Sequence, residues 1–108
     1  MPNVFKSITD TGVGASLTTV YTCPASTTAV VIGCNVSNTT GGQIKVDLKL
    51  NKNVGDDVFV IRNIPIPNGS SYEFIAGSKL VLETGDALEV QSTVASSVDV
   101  IVSVLESS

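Results

Sequence analysis

The stretch YTCPASTTAVVIGCNVSNTTGGQIKVDLKL, residues 21–50, decides the fold of this chain. In its last part, residues 43–50, an apolar residue occupies every second position, with polar or charged residues between. Successive side chains of a strand point to opposite faces, so this alternation predicts a strand with one buried and one solvated face. Residues 28–35 are apolar on both faces, which is typical of a strand inside a sheet or covered on its outer side.

Between these two strands lies NTTGG, residues 38–42. Glycine and asparagine readily adopt the positive backbone dihedrals that a tight reversal needs. The sequence therefore predicts a tight turn here.

The composition is that of one β-rich domain of 108 residues. Hydrophobic residues make up 43% of the chain and aromatic residues only 5%, while Ser, Thr, Asn and Gly fill much of the rest, which favours strands and polar turns over helices. A chain of this length forms one core. We therefore expect a single β-sandwich domain at residues 1–108, in which residues 1–11 form a terminal strand or arm.

Charge and hydropathy exclude two classes of partner. The formal net charge of −4 argues against nucleic acid, because phosphate binding needs clustered positive charge. The longest uninterrupted apolar run, residues 29–32, is far shorter than the roughly 20 residues that cross a bilayer, so no membrane partner is expected. The first six residues lack the basic region and apolar core of a secretory signal, which predicts a soluble protein made in the cytosol.

The rest of the chain repeats the same pattern of short strands and turn residues. The predicted strands are residues 4–8, 17–22, 28–35, 43–50, 58–64, 71–75, 79–83, 88–93 and 98–105. No helical period occurs, so eight or nine short strands predict an all-β antiparallel sandwich or barrel. We favour an antiparallel β-sandwich of jelly-roll or Greek-key type.

The two cysteines, Cys23 and Cys34, are expected to be free, buried thiols. If residues 24–27 form a hairpin, the two α-carbons lie beyond the roughly 7 Å that a disulfide can bridge. If those residues instead arch between two sheets, this geometric argument fails. A catalytic thiol is disfavoured because the chain contains no His to activate one.

We predict no catalytic residue, no cofactor and no metal site. Asp56 and Asp57 follow an Asn-rich loop, but this loop lacks the regular oxygen ligands and the terminal bidentate Glu of a dedicated calcium site. Glu73, Glu83 and Glu89 fall at strand positions typical of a solvated face, and no cleft aromatics accompany them, which disfavours glycoside cleavage.

Three strands offer more apolar faces than a single small sandwich easily buries. They are residues 29–36, 58–64 and 98–105. Such a surplus either marks an interface or is covered by loops, and the residues alone favour neither explanation.

The order of motifs along the chain resembles a known family. The motifs are VYTCPA (20–25), AVVIG (29–33), NVSN (35–38), IPIPNGS (64–70), KLVLETGD (79–86) and VDVIVSVLE (98–106). They are similar to those of small β-sandwich virion proteins of tailed bacteriophages, especially phages of cyanobacteria and marine bacteria. The resemblance covers nearly the whole chain, and it implies a non-enzymatic structural subunit present in many copies.

With this resemblance, the expected function is capsid decoration. The chain would act as a cement subunit in the virion, bind the major capsid protein or other virion proteins, and associate with itself, with a trimer favoured. Its interface candidates are Phe5, Ile101 and Leu105, followed by Phe59 and Ile61. The alternative within the virion is a tail, neck or fibre-base accessory protein.

An alternative of another class is a carbohydrate-binding module that recognises a host surface. Such modules present exposed aromatic platforms. With no Trp, and with Tyr21 and Tyr72 as the only tyrosines, this function is disfavoured.

Overall fold

The computed structural model describes residues 3–73 and 79–107, and every regular element in them is a β-strand. The strands are β1 (Asn3–Val13), β2 (Thr18–Thr22), β3 (Thr28–Asn38), β4 (Ile44–Asn51), β5 (Val58–Ile66), β6 (Ser71–Glu73), β7 (Leu80–Leu82), β8 (Ala87–Ser92) and β9 (Val98–Ser107). The predicted all-β class is confirmed. The predicted strand at residues 71–75 is observed to Glu73, and its last two residues lie outside the described residues.

The strands form two antiparallel sheets that pack face to face. The five-stranded sheet has the order β1-β9-β3-β6, with β7 also paired to β3, and the four-stranded sheet has the order β2-β8-β4-β5. Strands that follow one another along the chain mostly lie in opposite sheets. This strand order is that of a jelly roll, so the predicted antiparallel sandwich is confirmed.

The core lies between the inner faces of the two sheets, as the alternating pattern predicted. On β9 the inward residues Val98, Val100, Val102 and Val104 are buried, whereas Ile101 on the outer face is exposed. On β4 the same alternation buries Ile44, Val46 and Leu48. Burial of aliphatic side chains is the main favourable contribution to folding, so these two strands anchor the sandwich.

The turn predicted at residues 38–42 is instead a crossing between the sheets. β3 and β4 belong to different sheets, and neither Gly41 nor Gly42 has a positive φ. The Asn38 side chain holds this crossing: its amide nitrogen donates to the carbonyl oxygens of Gly42 at 2.7 Å and Ile66 at 2.9 Å. Its oxygen accepts from the amide of Thr40 at 2.9 Å. The prediction of a tight reversal was wrong. The Asn38 side chain supplies hydrogen bonds to this segment, which does not need the backbone pairing of a hairpin.

Residues 24–27 also pass from one sheet to the other, from β2 to β3. The hairpin assumed in the disulfide argument is therefore wrong. Both Cys23 and Cys34 are nevertheless free and buried, as expected. Burial, together with the nearby Glu73 carboxylate, raises the pKa of Cys34 to about 12, so this thiol stays protonated at neutral pH.

A buried polar cluster joins three strands at one end of the sandwich. The Tyr21 hydroxyl on β2 donates to Glu106 on β9 at 2.5 Å, and the Lys6 ammonium on β1 lies 2.9 Å from the same carboxylate. Hydrogen bonds from Tyr21 and then from Lys6 lower the pKa of Glu106, despite its burial. Burial and the contact with Glu106 raise the pKa of Tyr21. The cluster thereby links both sheets through one ionised carboxylate.

Candidate assembly interface

A row of four apolar side chains crosses the outer face of the five-stranded sheet. Phe5 on β1 lies opposite Leu105 on β9, Leu105 lies opposite Val30 on β3, and Val30 lies opposite Val81 on β7. Phe5 is 74% exposed and Val81 is 56% exposed, while the two middle residues are half-buried. Cross-strand neighbours lie about 5 Å apart, so the four side chains form one continuous strip, called here the apolar row.

Ile101 and Ile32 are also exposed on the outer side of this sheet. Ile32 is the extra residue of a β-bulge, because Val31 and Gly33 pair with successive residues of β9. The Glu73 carboxylate accepts a hydrogen bond of 2.6 Å from the amide of Cys34, the second residue after the bulge. The bulge therefore displays an isoleucine on the surface while its neighbouring amide is satisfied.

The outer faces of the two sheets differ in charge. Among the paired strand residues that the structure describes, the outer face of the five-stranded sheet carries only Glu73 and Asp99 as charged side chains. By the same count, the outer face of the four-stranded sheet carries four, namely Lys45, Asp47, Lys49 and Glu89, and the unpaired Arg62 lies over the Phe59 ring of this sheet. A face with few charges and a central apolar row loses little when it is removed from water.

The five predicted interface residues divide between the sheets. Phe5, Ile101 and Leu105 lie together on the outer face of the five-stranded sheet. Phe59 lies on the four-stranded sheet, where the Arg62 guanidinium is 4.5 Å and the Lys49 ammonium 5.7 Å from its ring centroid. Ile61 is half-buried and packs against the core. The structure thus brings together three of the five residues.

A bulge on β5 explains why Phe59 and Ile61 do not share a face. Lys49 pairs with Phe59 and Leu48 pairs with Ile61, so Val60 is the extra residue between them. Simple alternation places residues 59 and 61 on one face, but one inserted residue reverses the direction of every side chain after it.

Sequence reasoning did not identify Val30, Ile32 and Val81 as outward apolar residues of the five-stranded sheet. The signal was present for the first two, because residues 28–35 are apolar on both faces. Alternation grouped Val30 and Ile32 with Cys34, yet the bulge at Ile32 turns Cys34 into the core and leaves Val30 outside. Val81 gave a weaker signal, since β7 has only three residues.

The carboxylates at one end of the sandwich are occupied by structural contacts. Lys52 lies 2.6 Å from Asp86 and 3.0 Å from Glu83, beside an open groove of about 540 Å³. Asp86 also accepts from the amides of Asn53 and Glu83, each at 2.9 Å. Burial opposes ionisation of Asp86, but the bonds from Lys52 and from these amides lower its pKa overall. Asp86 therefore ties a loop to a turn and offers no free base to a substrate.

The acidic loop at residues 56–57 is held by backbone contacts: the Asp57 carboxylate accepts from the amide of Lys52 at 2.8 Å. Within residues 3–73 and 79–107, no three His, Cys, Asp or Glu side chains are grouped in a way that could hold a metal ion. Nor does this part of the chain contain a helix with the length and hydropathy to cross a membrane. Tyr21, one of the two candidate sugar platforms, is buried in the core.

Comparison with known proteins adds information about the fold. No protein-family model matches the chain, and no curated protein matches it. A solved structure of Bacillus endospore appendages, described as a novel family of disulfide-linked pili, is similar in fold: the TM-score is 0.58 at 16% sequence identity, over 97% of this chain and 85% of that chain. The viral particle of infectious bursal disease virus contains a chain with a TM-score of 0.49 and 11% identity, over 96% of this chain and 35% of that chain. At 16% identity, the similarity to the pilus protein shows a shared fold and no more.

Proposed function

We propose that this chain is a non-enzymatic structural protein of a bacteriophage virion, a decoration subunit that binds the assembled capsid. The observation that carries the proposal is the apolar row on a face with few charges. Monomeric proteins seldom leave such a row exposed, because contiguous apolar surface favours association. The partner would be the major capsid protein, in line with the resemblance of the motifs to small phage virion proteins.

The energetics suit a subunit that binds in many copies. Burial of the exposed parts of Phe5 and Val81 against a partner would contribute roughly 3–5 kcal/mol at about 25 cal/mol per Å². A ligand that binds only the assembled shell stabilises it in proportion to the logarithm of its saturation. Modest affinity at each site therefore suffices when many sites are filled.

The fold shared with a pilus subunit supports a structural role, since that protein builds an assembly. Its assembly is described as disulfide-linked. The two thiols of this chain are buried at 2% and 0% exposure, so they are inaccessible to a neighbouring subunit. Assembly here would accordingly rest on noncovalent contacts.

The test is co-sedimentation of the purified protein with empty capsids of its virus. The wild-type protein is expected to sediment in a stoichiometric, saturable amount. Phe5→Thr and Val81→Thr should each weaken binding at least tenfold, because they remove apolar contact while keeping a β-compatible residue. The matched control is Val54→Thr, since Val54 is 83% exposed in a loop outside the apolar row.

Two results would contradict the proposal. One is a wild-type protein that stays in the supernatant with capsids at every concentration, which would direct the search to tails, necks and fibre bases. The other is binding that Val54→Thr weakens as much as Val81→Thr does, which would show that the apolar row is not the contact.

A further inference from the structure

The edges of the two sheets differ in how well they are blocked against strand pairing. β5 is an edge strand with Pro65 and two irregularities, and its Asn63 has a positive φ. β2 has five residues with one bulge, and β6 and β7 have three described residues each. Short strands, prolines and bulges are the usual devices that prevent edge-to-edge association.

Along most of its length, the edge at β1 is neither short, nor interrupted by proline, nor bulged, although it carries the two charged residues Lys6 and Asp10. From Asn3 to Asp10 it pairs with β9 in unbroken register, and the first irregularity follows Asp10. Residues 3–13 contain no proline, and β9 is the one strand that pairs with β1 in the described part of the chain. Eight residues in regular register thus border a free edge, which is a template for a further strand.

The register determines which amides of β1 point to this free edge. In an antiparallel sheet, successive residues direct their backbone groups alternately to the two neighbouring strands. On β3 the amide of Asn38 donates to Ser70 and the amide of Cys34 donates to Glu73. The backbone groups of the even-numbered residues in this part of β3 therefore point to β6. The odd-numbered residues of this part of β3 therefore point to β9, where they pair with odd-numbered partners.

It follows that the backbone groups of the even-numbered residues of β9 point to β1. There these residues pair with even-numbered partners such as Ile8 and Lys6. The odd-numbered residues of β1 direct their backbone groups away from β9. In the regular stretch, the amides and carbonyls that point to this edge are those of Asn3, Phe5, Ser7 and Thr9.

We propose that two copies of this chain pair along the free edge of β1, antiparallel, about a two-fold axis between their Ile8 residues. The inference goes beyond the proposed function and does not depend on it. Ser7 of each copy would exchange backbone hydrogen bonds with Thr9 of the other. Ile8 would face Ile8 of the second copy as a pair without backbone hydrogen bonds, the arrangement in which side chains lie closest.

Charge selects this register among the alternatives. Centring the pair on Ile8 places Lys6 opposite Asp10 of the second copy, twice by symmetry. Centring it on Lys6 or on Asp10 would place like charges directly opposite each other, which is unfavourable. Centring it on Ser7 would place Lys6 opposite Ile8. Only the first of these four registers pairs both charged residues of β1 with opposite charges.

The two-fold symmetry determines how the outer faces of the two copies align and how many copies associate. The two-fold axis is perpendicular to the sheet, so both apolar rows lie on the same side and the two Phe5 residues extend one continuous face. Pairing of an edge with itself closes a dimer, whereas a ring of three requires two different edges. Because β1 is the described edge with the longest regular register, this pairing favours a dimer over the trimer expected with the decoration role.

The first test is the mass of the protein in solution by light scattering over a concentration series. The wild type should approach twice 11.1 kDa. Ser7→Pro should remain a folded monomer, because it removes an amide at the free edge and leaves the pairing with β9 intact. The matched control is Ser7→Thr, which keeps the amide and should still dimerise. Asp10→Lys, which opposes two lysines to Lys6, should weaken the dimer about tenfold.

The second test identifies the register by cross-linking. Ile8→Cys should form a disulfide-linked dimer under mild oxidation, since α-carbons of such a pair lie about 4.5 Å apart, within disulfide range. Asp10→Cys should not, because the two Asp10 positions would be about 13 Å apart along the strands. The wild type gives the baseline, as its own thiols are buried.

The inference is overturned if the wild type stays monomeric at all concentrations, if folded Ser7→Pro dimerises like the wild type, or if Asp10→Cys cross-links as fast as Ile8→Cys. Capsid binding is measured separately, by the co-sedimentation experiment. A dimer that ignores capsids refutes decoration and leaves strand pairing standing, while a monomer that binds capsids refutes strand pairing and leaves decoration standing.

Discussion

The two sheets of this sandwich share one core but present different outer faces. The five-stranded sheet shows the apolar row and two acidic side chains, whereas the four-stranded sheet shows an alternation of both charge signs. Even the aromatic residues differ: Phe5 is 74% exposed, while Phe59 is flanked by two cations. Similar aliphatic packing on the inside therefore leaves the two outer faces free to differ, one rich in charges and the other with exposed apolar side chains.

The largest expected change in the free energy of unfolding comes from comparing substitutions on the two faces of β9. Val102→Ala should lower the free energy of unfolding by about 2–3 kcal/mol, because Val102 is fully buried and its truncation leaves a cavity. Its neighbour Ile101 points outward, so Ile101→Thr should cost less than about 1 kcal/mol. Urea unfolding of both variants measures the difference. Equal losses would mean that the outer face is covered within the folded chain.

The next effect concerns the cluster that ties β1 to both sheets. The pKa of Glu106 is lowered in the folded state, so the stability it contributes is present above its ordinary value of 4.5 and is lost as the pH falls through the folded pKa. Glu106→Gln should cost about 1–2 kcal/mol at neutral pH, from the charged contacts it removes. The same variant should flatten the loss of stability on acidification.

Urea unfolding at a series of pH values between neutral and acidic conditions checks this prediction. Tyr21→Phe is the matched variant, since it removes the hydroxyl that donates to Glu106 and keeps the ring in the core. An acid transition that is as steep in Glu106→Gln as in the wild type would contradict the role of this carboxylate.

A smaller effect distinguishes the two exposed phenylalanines. Phe59→Ala should lower the free energy of unfolding by roughly 1 kcal/mol, because it removes the ring beneath Arg62 and Lys49. Phe5→Ala should cost less than about 0.5 kcal/mol, since most of that ring faces solvent. Thermal unfolding of both variants is the measurement. A larger loss of stability in Phe5→Ala than in Phe59→Ala would mean that the Phe5 ring packs within its own chain.

The smallest effect is on the binding of a dye that reports exposed apolar surface. Phe5→Thr combined with Val81→Thr should reduce the dye fluorescence of the folded protein by roughly half, because the two changes remove both exposed ends of the contiguous apolar row. Phe59→Thr and the loop control Val54→Thr should leave the fluorescence close to the wild-type value. Equal reductions in all variants would show that exposure, and not continuity across strands, determines dye binding.

Much of the fold could be predicted from the sequence, because strand alternation has a local cause. The valines of β9 and the aliphatic residues of β4 lie in the core as their period of two indicated. Pro65 has no amide hydrogen to donate to a central ladder, so its strand is expected at an edge, and β5 is an edge strand. These inferences depend only on the pleat of a strand and on the missing amide of proline.

The candidate interface was predicted in part. Of the five predicted candidates, Phe5, Ile101 and Leu105 share an outer face, whereas Phe59 and Ile61 lie in the other sheet, and Val30 and Val81 of the apolar row were not among the candidates. Bulges explain two of these differences: the one at Val60 separates Phe59 from Ile61, and the one at Ile32 separates Val30 from Cys34. An inserted residue is set by the pairing with the neighbouring strand, so no local pattern along the chain reveals it.

The sequence by itself determined the class of this protein: its period of two, its turn residues and its low charge require short antiparallel strands around an aliphatic core. Only the tertiary structure decided which strands share a sheet, where residues 24–27 and 38–42 cross between sheets, and which apolar faces remain outside. The physical reason is that alternation assigns residues to two faces but does not say which face meets the other sheet. That choice depends on long-range pairing, and it is what leaves the apolar row and the edge of β1 exposed.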